Sequence, residues 1–288
     1  MAKNDWIEVI DIFNNKDINY IDDFLKSTNK FCPDDTQINI FDKNHNAFSS
    51  KLLKKPKPGN WIPVYKKEDL SDFLVENNLM PIRCGQGEFF FFKGEVFFDL
   101  TKIKFDDISI KELLQIESFI PLTLKEFQKN ENAYLNKALA IGIINHFIDS
   151  EQLSVFKQEL NNLNYRRLLY GQFGKIKTNI ELEFKTTHGV KKINKGFQFE
   201  IDLVLENRDE IIIFEAKQGL KARTTFSLLQ LYYPLIYLSK ITNNKKKIRT
   251  VFIDIVSDTN NEIYKLTEFY FKNLEFDNYT IIKNCIYN

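Results

Sequence analysis

GFQFEIDLVLENRDEIIIFEAKQG, residues 196–219, is the stretch whose reading decides the fold. Its first half alternates. Phe199, Ile201, Leu203 and Leu205 fall at every second position, which in a strand puts them on one face and Glu200 and Asp202 on the other. Residues 211–214 are continuously apolar, the pattern of a strand covered on both faces. Asn207-Arg208-Asp209 between the two runs reads as a tight turn, so the strands are expected to be antiparallel neighbours. The same period of two places Glu215 and Lys217 together at the end of the apolar strand, within reach of Asp202.

Working outward, the strand at 197–205 is preceded by a strand expected at 180–186 and a basic turn. Farther upstream, residues 131–148 carry Leu135, Leu139, Ile143 and Phe147 four apart, which predicts one helix with a stripe that packs on a sheet. Downstream, the pattern predicts a helix over 225–239, a strand over 250–256 and a closing helix over 261–273. The short turns favour an antiparallel meander, and the helical crossover to the last strand favours a parallel pair. The fold class is therefore α/β, of the α+β kind with a mixed sheet, in the order αβββαβ. Residues 121–288 form this core. Residues 1–120 are an N-terminal α+β region with a short helix near 68–78, a turn at Gly85-Gln86-Gly87, and two Phe-rich runs flanking a hairpin turn at Lys93-Gly94.

The 288 residues carry 40 Lys plus Arg against 39 Asp plus Glu, so no polybasic field covers the whole surface. Any polyanion must be met by local patches. Three acid-free basic stretches offer them: residues 51–67 with Trp61 and Tyr65, residues 185–195, and residues 240–249. Among the cations near the predicted strands, Lys191, Lys192, Lys221 and Arg223 are the expected phosphate contacts. With 43% hydrophobic and 27% charged residues the chain is a globular protein rather than a disordered one. It lacks a run of about 18 apolar residues and a leader-like start, so no membrane partner is expected and the location is expected to be cytoplasmic. Cys32, Cys84 and Cys285 are widely spaced and read as free thiols, and with only His45, His146 and His188 present, chemistry that leans on imidazole is limited.

Two carboxylates and an ammonium at the end of a buried strand are costly unless they pair or hold a metal. Two hard oxygen ligands with open positions suit Mg2+, and a lysine beside such an ion can position an attacking water. Asp202, Glu215 and Lys217 thus point to phosphodiester hydrolysis. Glu200 fits either a second carboxylate on the metal side or a solvated partner of Lys192 or Lys195.

This constellation resembles that of the PD-(D/E)xK nuclease superfamily, and within it the type II restriction endonucleases. Asp202 matches the first Asp of the motif and Glu215-Ala216-Lys217 its (D/E)xK, thirteen residues on. Ile201 stands where the motif has Pro. SLLQLYYPLIYL, residues 227–238, is similar to a group of restriction-type nucleases with an EID…EAK…QLYYP signature, and the similarity spans residues 121–256 and, more weakly, PIRCGQGEFFFF. The resemblance implies catalysis by Asp202, Glu215 and Lys217, an acidic residue from the first helix at Glu131, and metal binding at Asp202, Glu215 and Ala216. It also implies contact of Gln230 with the site or the DNA. Implied with these are Mg2+ as cofactor, double-stranded DNA cut at a specific sequence, a homodimer, and a DNA methyltransferase that protects the host site. A structure-directed or repair nuclease, and a non-catalytic DNA-binding module on the same fold, are the alternatives.

Overall fold

The computed structural model describes residues 37–39, 67–70, 75, 79–83, 88–93, 95–110, 130–148, 166–169, 176–186, 189–257 and 262–288. The strands are β1 (Gln37–Asn39), β2 (Leu79–Arg83), β3 (Glu88–Lys93), β4 (Phe97–Asp99), β5 (Asp106–Ile108), β6 (Arg166–Leu169), β7 (Ile176–Thr186), β8 (Gly189–Phe199), β9 (Leu203–Glu206), β10 (Glu210–Gly219), β11 (Thr225–Ser227), β12 (Lys247–Ser257), β13 (Glu262–Phe271) and β14 (Tyr279–Tyr287). The helices are α1 (Glu131–Ala140), α2 (Ile143–Ile148) and α3 (Leu229–Ile241). The chain divides into two compact units. The first draws on Met1–Leu100, Lys177–Gln198 and Thr224–Leu228, the second on Thr101–Ile176, Phe199–Arg223 and Leu229–Asn288.

The second unit is built on a seven-stranded sheet in the order β5-β14-β13-β12-β10-β9-β6. β6 and β9 pair antiparallel, as do β9 and β10, and α3 carries the chain from β10 to its parallel neighbour β12. The class is mixed α/β with a mixed sheet. Residues 211–214 are fully buried in β10, as their unbroken apolar run requires. Ile212, Phe214 and Ala216 pack with Tyr134, Leu135 and Phe147 from α1 and α2 in one core cluster. The alternating residues Glu215 and Lys217 therefore project from the other face of β10. The turn between β9 and β10 is the expected one. Asn207 closes it, its side-chain oxygen accepting from the N–H groups of Asp209 at 2.9 Å and Glu210 at 2.8 Å.

Several expectations are corrected. The strand over 197–205 is two strands, because the chain changes partners: β8 pairs with β7, whereas β9 pairs with β6 and β10, and residues 200–202 make the break. The strand over 180–186, within β7, is therefore not part of the meander, and β6 takes that place. The closing helix over 261–273 is β13, paired with β12 on one side and β14 on the other. A bulge between Glu268 and Phe269 moves the buried set from Tyr264 and Leu266 to Phe269 and Phe271, which hides the period of two in the sequence. The helix over 225–239 starts at Leu229, since Thr225–Ser227 pair with β4 instead.

In the first unit the hairpin expected at Lys93-Gly94 does not form. β3 lies between β1 and β2, and β4 pairs with β11. β2 and β3 are antiparallel across residues 84–87, so the turn expected at Gly85-Gln86-Gly87 lies outside the described residues. Of the helix near 68–78, the structure describes a 3-10 turn at Lys67–Asp69. Trp61, Tyr65, Cys32, Cys84, His45 and His188 also lie outside the described residues. Cys285 is a free, buried thiol. No helix among the described residues is long and apolar enough to cross a membrane.

The predicted helix over 131–148 is interrupted. α1 ends at Ala140 and α2 starts at Ile143, with Gly142 between them at φ 84. A left-handed backbone favours glycine there. Gly142→Ala is expected to lower stability by about 1–2 kcal/mol, read as a shift of the urea midpoint with an unchanged slope.

Candidate active site

The break before β9 places Asp202. Its carboxylate stands one step beyond the Leu203↔Phe214 pair and accepts the Ala216 N–H at 2.8 Å, so it ties the first strand to the second. On β10, the Lys217 ammonium donates to Glu215 Oε1 at 2.6 Å and to the Ala216 carbonyl at 2.9 Å. It lies 3.9 Å from Asp202 Oδ2 and 3.9 Å from Glu131 Oε2. Glu131 opens α1 behind the Asn130 cap, which accepts the Ala133 N–H, and its other oxygen accepts the Gln218 N–H at 3.4 Å. From α3, Gln230 Nε2 donates to Glu215 Oε1 at 2.7 Å. The structure thus brings together Asp202, Glu215, Lys217, Glu131, Gln230 and the Ala216 carbonyl.

Electrostatics follow from this packing. Glu215 is 6% exposed, and burial pushes its carboxyl up to about 8, against the pull of Lys217 and with help from Asp202 and Glu131. Burial also raises Asp202, with Lys217 and the Ala216 N–H opposing. Lys217 moves upward as well: burial alone would lower it, but Glu215, Asp202 and Glu131 together hold the proton on its amine. Half-buried Glu200 adds negative potential at Asp202. Three carboxyl groups thus surround one ammonium, Glu215 and Asp202 largely buried and Glu131 39% exposed in its side chain.

Among the described residues no group of three His, Cys, Asp or Glu side chains stands at metal-binding spacing. The reason is visible in the distances: the Lys217 amine sits at the centre of the oxygens and serves as their cation. The oxygen donors themselves, carboxylate and carbonyl only, nonetheless suit a hard divalent ion. Gln230 Oε1 is buried without a hydrogen-bond partner among the described residues, an acceptor that a water on such an ion would satisfy.

The expected phosphate contacts fall differently. Lys221 is exposed and Arg223 half-buried on the loop that leaves β10. Lys191 and Lys192 lie on β8, which belongs to the first unit. The basic stretch 240–249 is partly spent inside the fold, since Lys246 bonds Glu206 and Arg249 forms a bidentate pair with Glu268 at 2.8 Å. Residues 51–66 lie outside the described residues.

Two features escape sequence reasoning. Asp254 is 2% exposed on β12, in register beside Lys217, and its Oδ2 accepts the Arg223 N–H at 3.0 Å. The signal was present, since a lone acid inside the apolar run VFIDIV needs a partner. Gln218 bonds Ser257 Oγ at 2.8 Å and so fixes the end of β10 to β12.

Fold and site together define a mixed α/β protein with a lysine-centred acidic cluster at the end of a buried central strand. A family model described as a domain of unknown function, DUF6997, matches residues 92–288, and the chain belongs to this family. Every residue of the cluster lies within the matched part. No curated protein matches the sequence. A solved structure described as the crystal structure of SSO0001 is 17% identical, covering 56% of this chain and 68% of its own, with a TM-score of 0.18, at which the likeness carries no argument.

Proposed function

We propose that the chain is a Mg2+-dependent DNA endonuclease of the restriction type, on a PD-(D/E)xK core formed by α1, β6, β9, β10, α3 and β12. The observation that carries this reading is the convergence of Asp202, Glu215 and Glu131 on Lys217 Nζ at 2.6–3.9 Å, in a half-open position at the end of β10. The order of helix, antiparallel strands, helix and parallel strand around it supports the same core.

Asp202, Glu215 and the Ala216 carbonyl are the groups that would hold the ion, with Glu131 beside them. A bound Mg2+ supplies charge to a scissile phosphate and acidifies a water. The chain's own groups do the rest. Asp202 keeps the strand end negative, Gln230 holds Glu215 in orientation, and the Lys217 amine holds and directs a water toward the phosphorus. Double-strand cleavage with one site per chain calls for a homodimer, and a methyltransferase would protect the host sequence.

The test is incubation of unmodified phage DNA with the protein and Mg2+. Discrete fragments with uniform ends, absent with EDTA and absent with Asp202→Asn, are expected. Preference for branched over linear duplexes would move the reading to a structure-directed nuclease. Mg2+-independent binding without any cleavage would sink the enzymatic reading.

A further inference from the structure

β7 and β8 form a two-stranded sheet of their own, with no third strand among the described residues. Each strand has 11 residues and only positions 187–188 connect them, so the pair is an antiparallel ribbon. At roughly 3.3 Å per residue it extends for about 36 Å, one helical turn of a DNA duplex. Its outgoing strand ends three residues before Asp202. There Phe199, 8% exposed, packs edge-on against Tyr237 with ring centroids 5.5 Å apart. The root of the ribbon is thereby fixed on α3, the helix that carries Gln230.

Alternation gives the ribbon two unlike faces. In β7 the even positions 176–184 are Ile, Thr, Ile, Leu and Phe, whereas the odd positions 177–185 are Lys, Asn, Glu, Glu and Lys. The two-residue connection sets 186 opposite 189, so the polar face of β7 continues into the even positions 190–198 of β8, which are Val, Lys, Asn, Gly and Gln. A polar face is ordinary where a sheet meets water. This one is composed against that role: Asn179, Asn194 and Gly196 are poor strand formers, and a merely solvated face gains nothing from them. A base edge does use such groups. Asn or Gln pairs with adenine through two hydrogen bonds, Lys bonds guanine, and Glu accepts from the cytosine amino group. Glu181 and Glu183 would be repelled by phosphates alone, but cytosine gives them a donor. A glycine inside a strand admits another molecule close to the backbone. Five Lys against two Glu over residues 176–199 suit a polyanion, and a two-stranded ribbon fits the width of the major groove. From this juxtaposition we infer that the β7–β8 ribbon is the sequence-reading element, entering the major groove of duplex DNA with the face that holds Asn179, Asn194, Gly196 and Gln198. The inference rests on the substrate of the nuclease reading, duplex DNA, and adds the part of the chain that chooses the sequence.

The experiment selects bound duplexes from a randomised pool in Ca2+ buffer and sequences them, beside cleavage of phage DNA in Mg2+. The wild type is expected to enrich one short consensus. Asn194→Ala and Gln198→Ala are each expected to lose the preference at one position of it by about tenfold, with the rest of the consensus kept. Gly196→Thr favours the strand but fills the space that a base pair would occupy. It is expected to keep or raise the melting temperature while weakening binding to the selected duplex by more than about tenfold. A consensus unchanged in both alanine variants, full binding by Gly196→Thr, or no consensus in a wild type that cleaves overturns the ribbon and leaves the nuclease reading standing. A consensus that the alanine variants alter, in a protein that never cleaves, upholds the ribbon and removes the nuclease. A wild type that neither binds nor cleaves DNA removes both.

Discussion

Lys217→Met is expected to lower DNA cleavage by a factor of about 10²–10⁴ and, in EDTA, to destabilise the fold by about 3–5 kcal/mol. The two losses have different causes. Lys217 is only 12% exposed in its side chain and is the cation around which Asp202, Glu215 and Glu131 are gathered. Methionine fills a similar volume but leaves the carboxylates facing one another in a desolvated site, and breaking a buried pair from one side costs far more than the pair's net worth. A divalent cation can take the vacated central position. Added Mg2+ is therefore expected to restore most of the stability of Lys217→Met while leaving cleavage impaired, because the amine proposed to direct the water would still be missing. Asp202→Asn provides the contrast. Its side-chain oxygen can still accept the Ala216 N–H, and one less negative charge relieves the cluster, so stability in EDTA should hold while cleavage is lost. Denaturant melts in EDTA and in Mg2+, run beside a plasmid-cleavage assay, read all of these. Undiminished cleavage by Lys217→Met would remove the lysine from the chemistry.

What could be read in advance follows from which periodicities survive in the chain. Asp202, Glu215 and Lys217 could be placed together because β10 is one unbroken strand, buried from Ile211 to Ala216, and because Asn207 closes a turn of ordinary chemistry. The break at 200–202 was invisible, since Phe199, Ile201, Leu203 and Leu205 keep one alternating pattern across a change of sheet and all four are buried. Each half satisfies the pattern with a different set of neighbours, and only long-range pairing tells them apart. β13 failed for the opposite reason: its bulge turns two correct alternations into one irregular spacing. The helix over 131–148 was correct in composition, but the left-handed Gly142 reads in sequence as a small packing residue rather than as a break. Gln230 could be suspected from resemblance alone. Its bond to Glu215 depends on where α3 begins, and that is set by the pairing of β11 with β4, which local propensity does not record.

Metal-free stability is expected to fall as pH rises from about 4.5 to about 8, by up to about 1.4 kcal/mol per pH unit, opposite to the usual behaviour of a salt-bridged carboxylate. The sign comes from Glu215. Its carboxyl titrates near 4.5 when unfolded and near 8 in the fold, raised first by burial. Below the lower value both states carry the proton. Between the two, the folded chain holds a proton that the unfolded chain has released, so each step up in pH favours unfolding; above the upper value both are ionised and the contribution is gone. Asp202, also raised by burial, adds to the same trend at its lower end. A divalent cation competes with that proton, so binding it near neutral pH should release about one proton per site and flatten the slope. Calorimetry of metal binding in buffers of different ionisation enthalpy counts the proton, and urea melts at stepped pH with and without Mg2+ give the slope. Glu215→Gln should remove the slope and weaken metal binding together. If Glu215→Gln retains the wild-type slope, the proton resides elsewhere in the protein and the cluster is an ordinary ion pair; if the slope disappears but metal affinity is unchanged, Glu215 titrates as described without being a ligand.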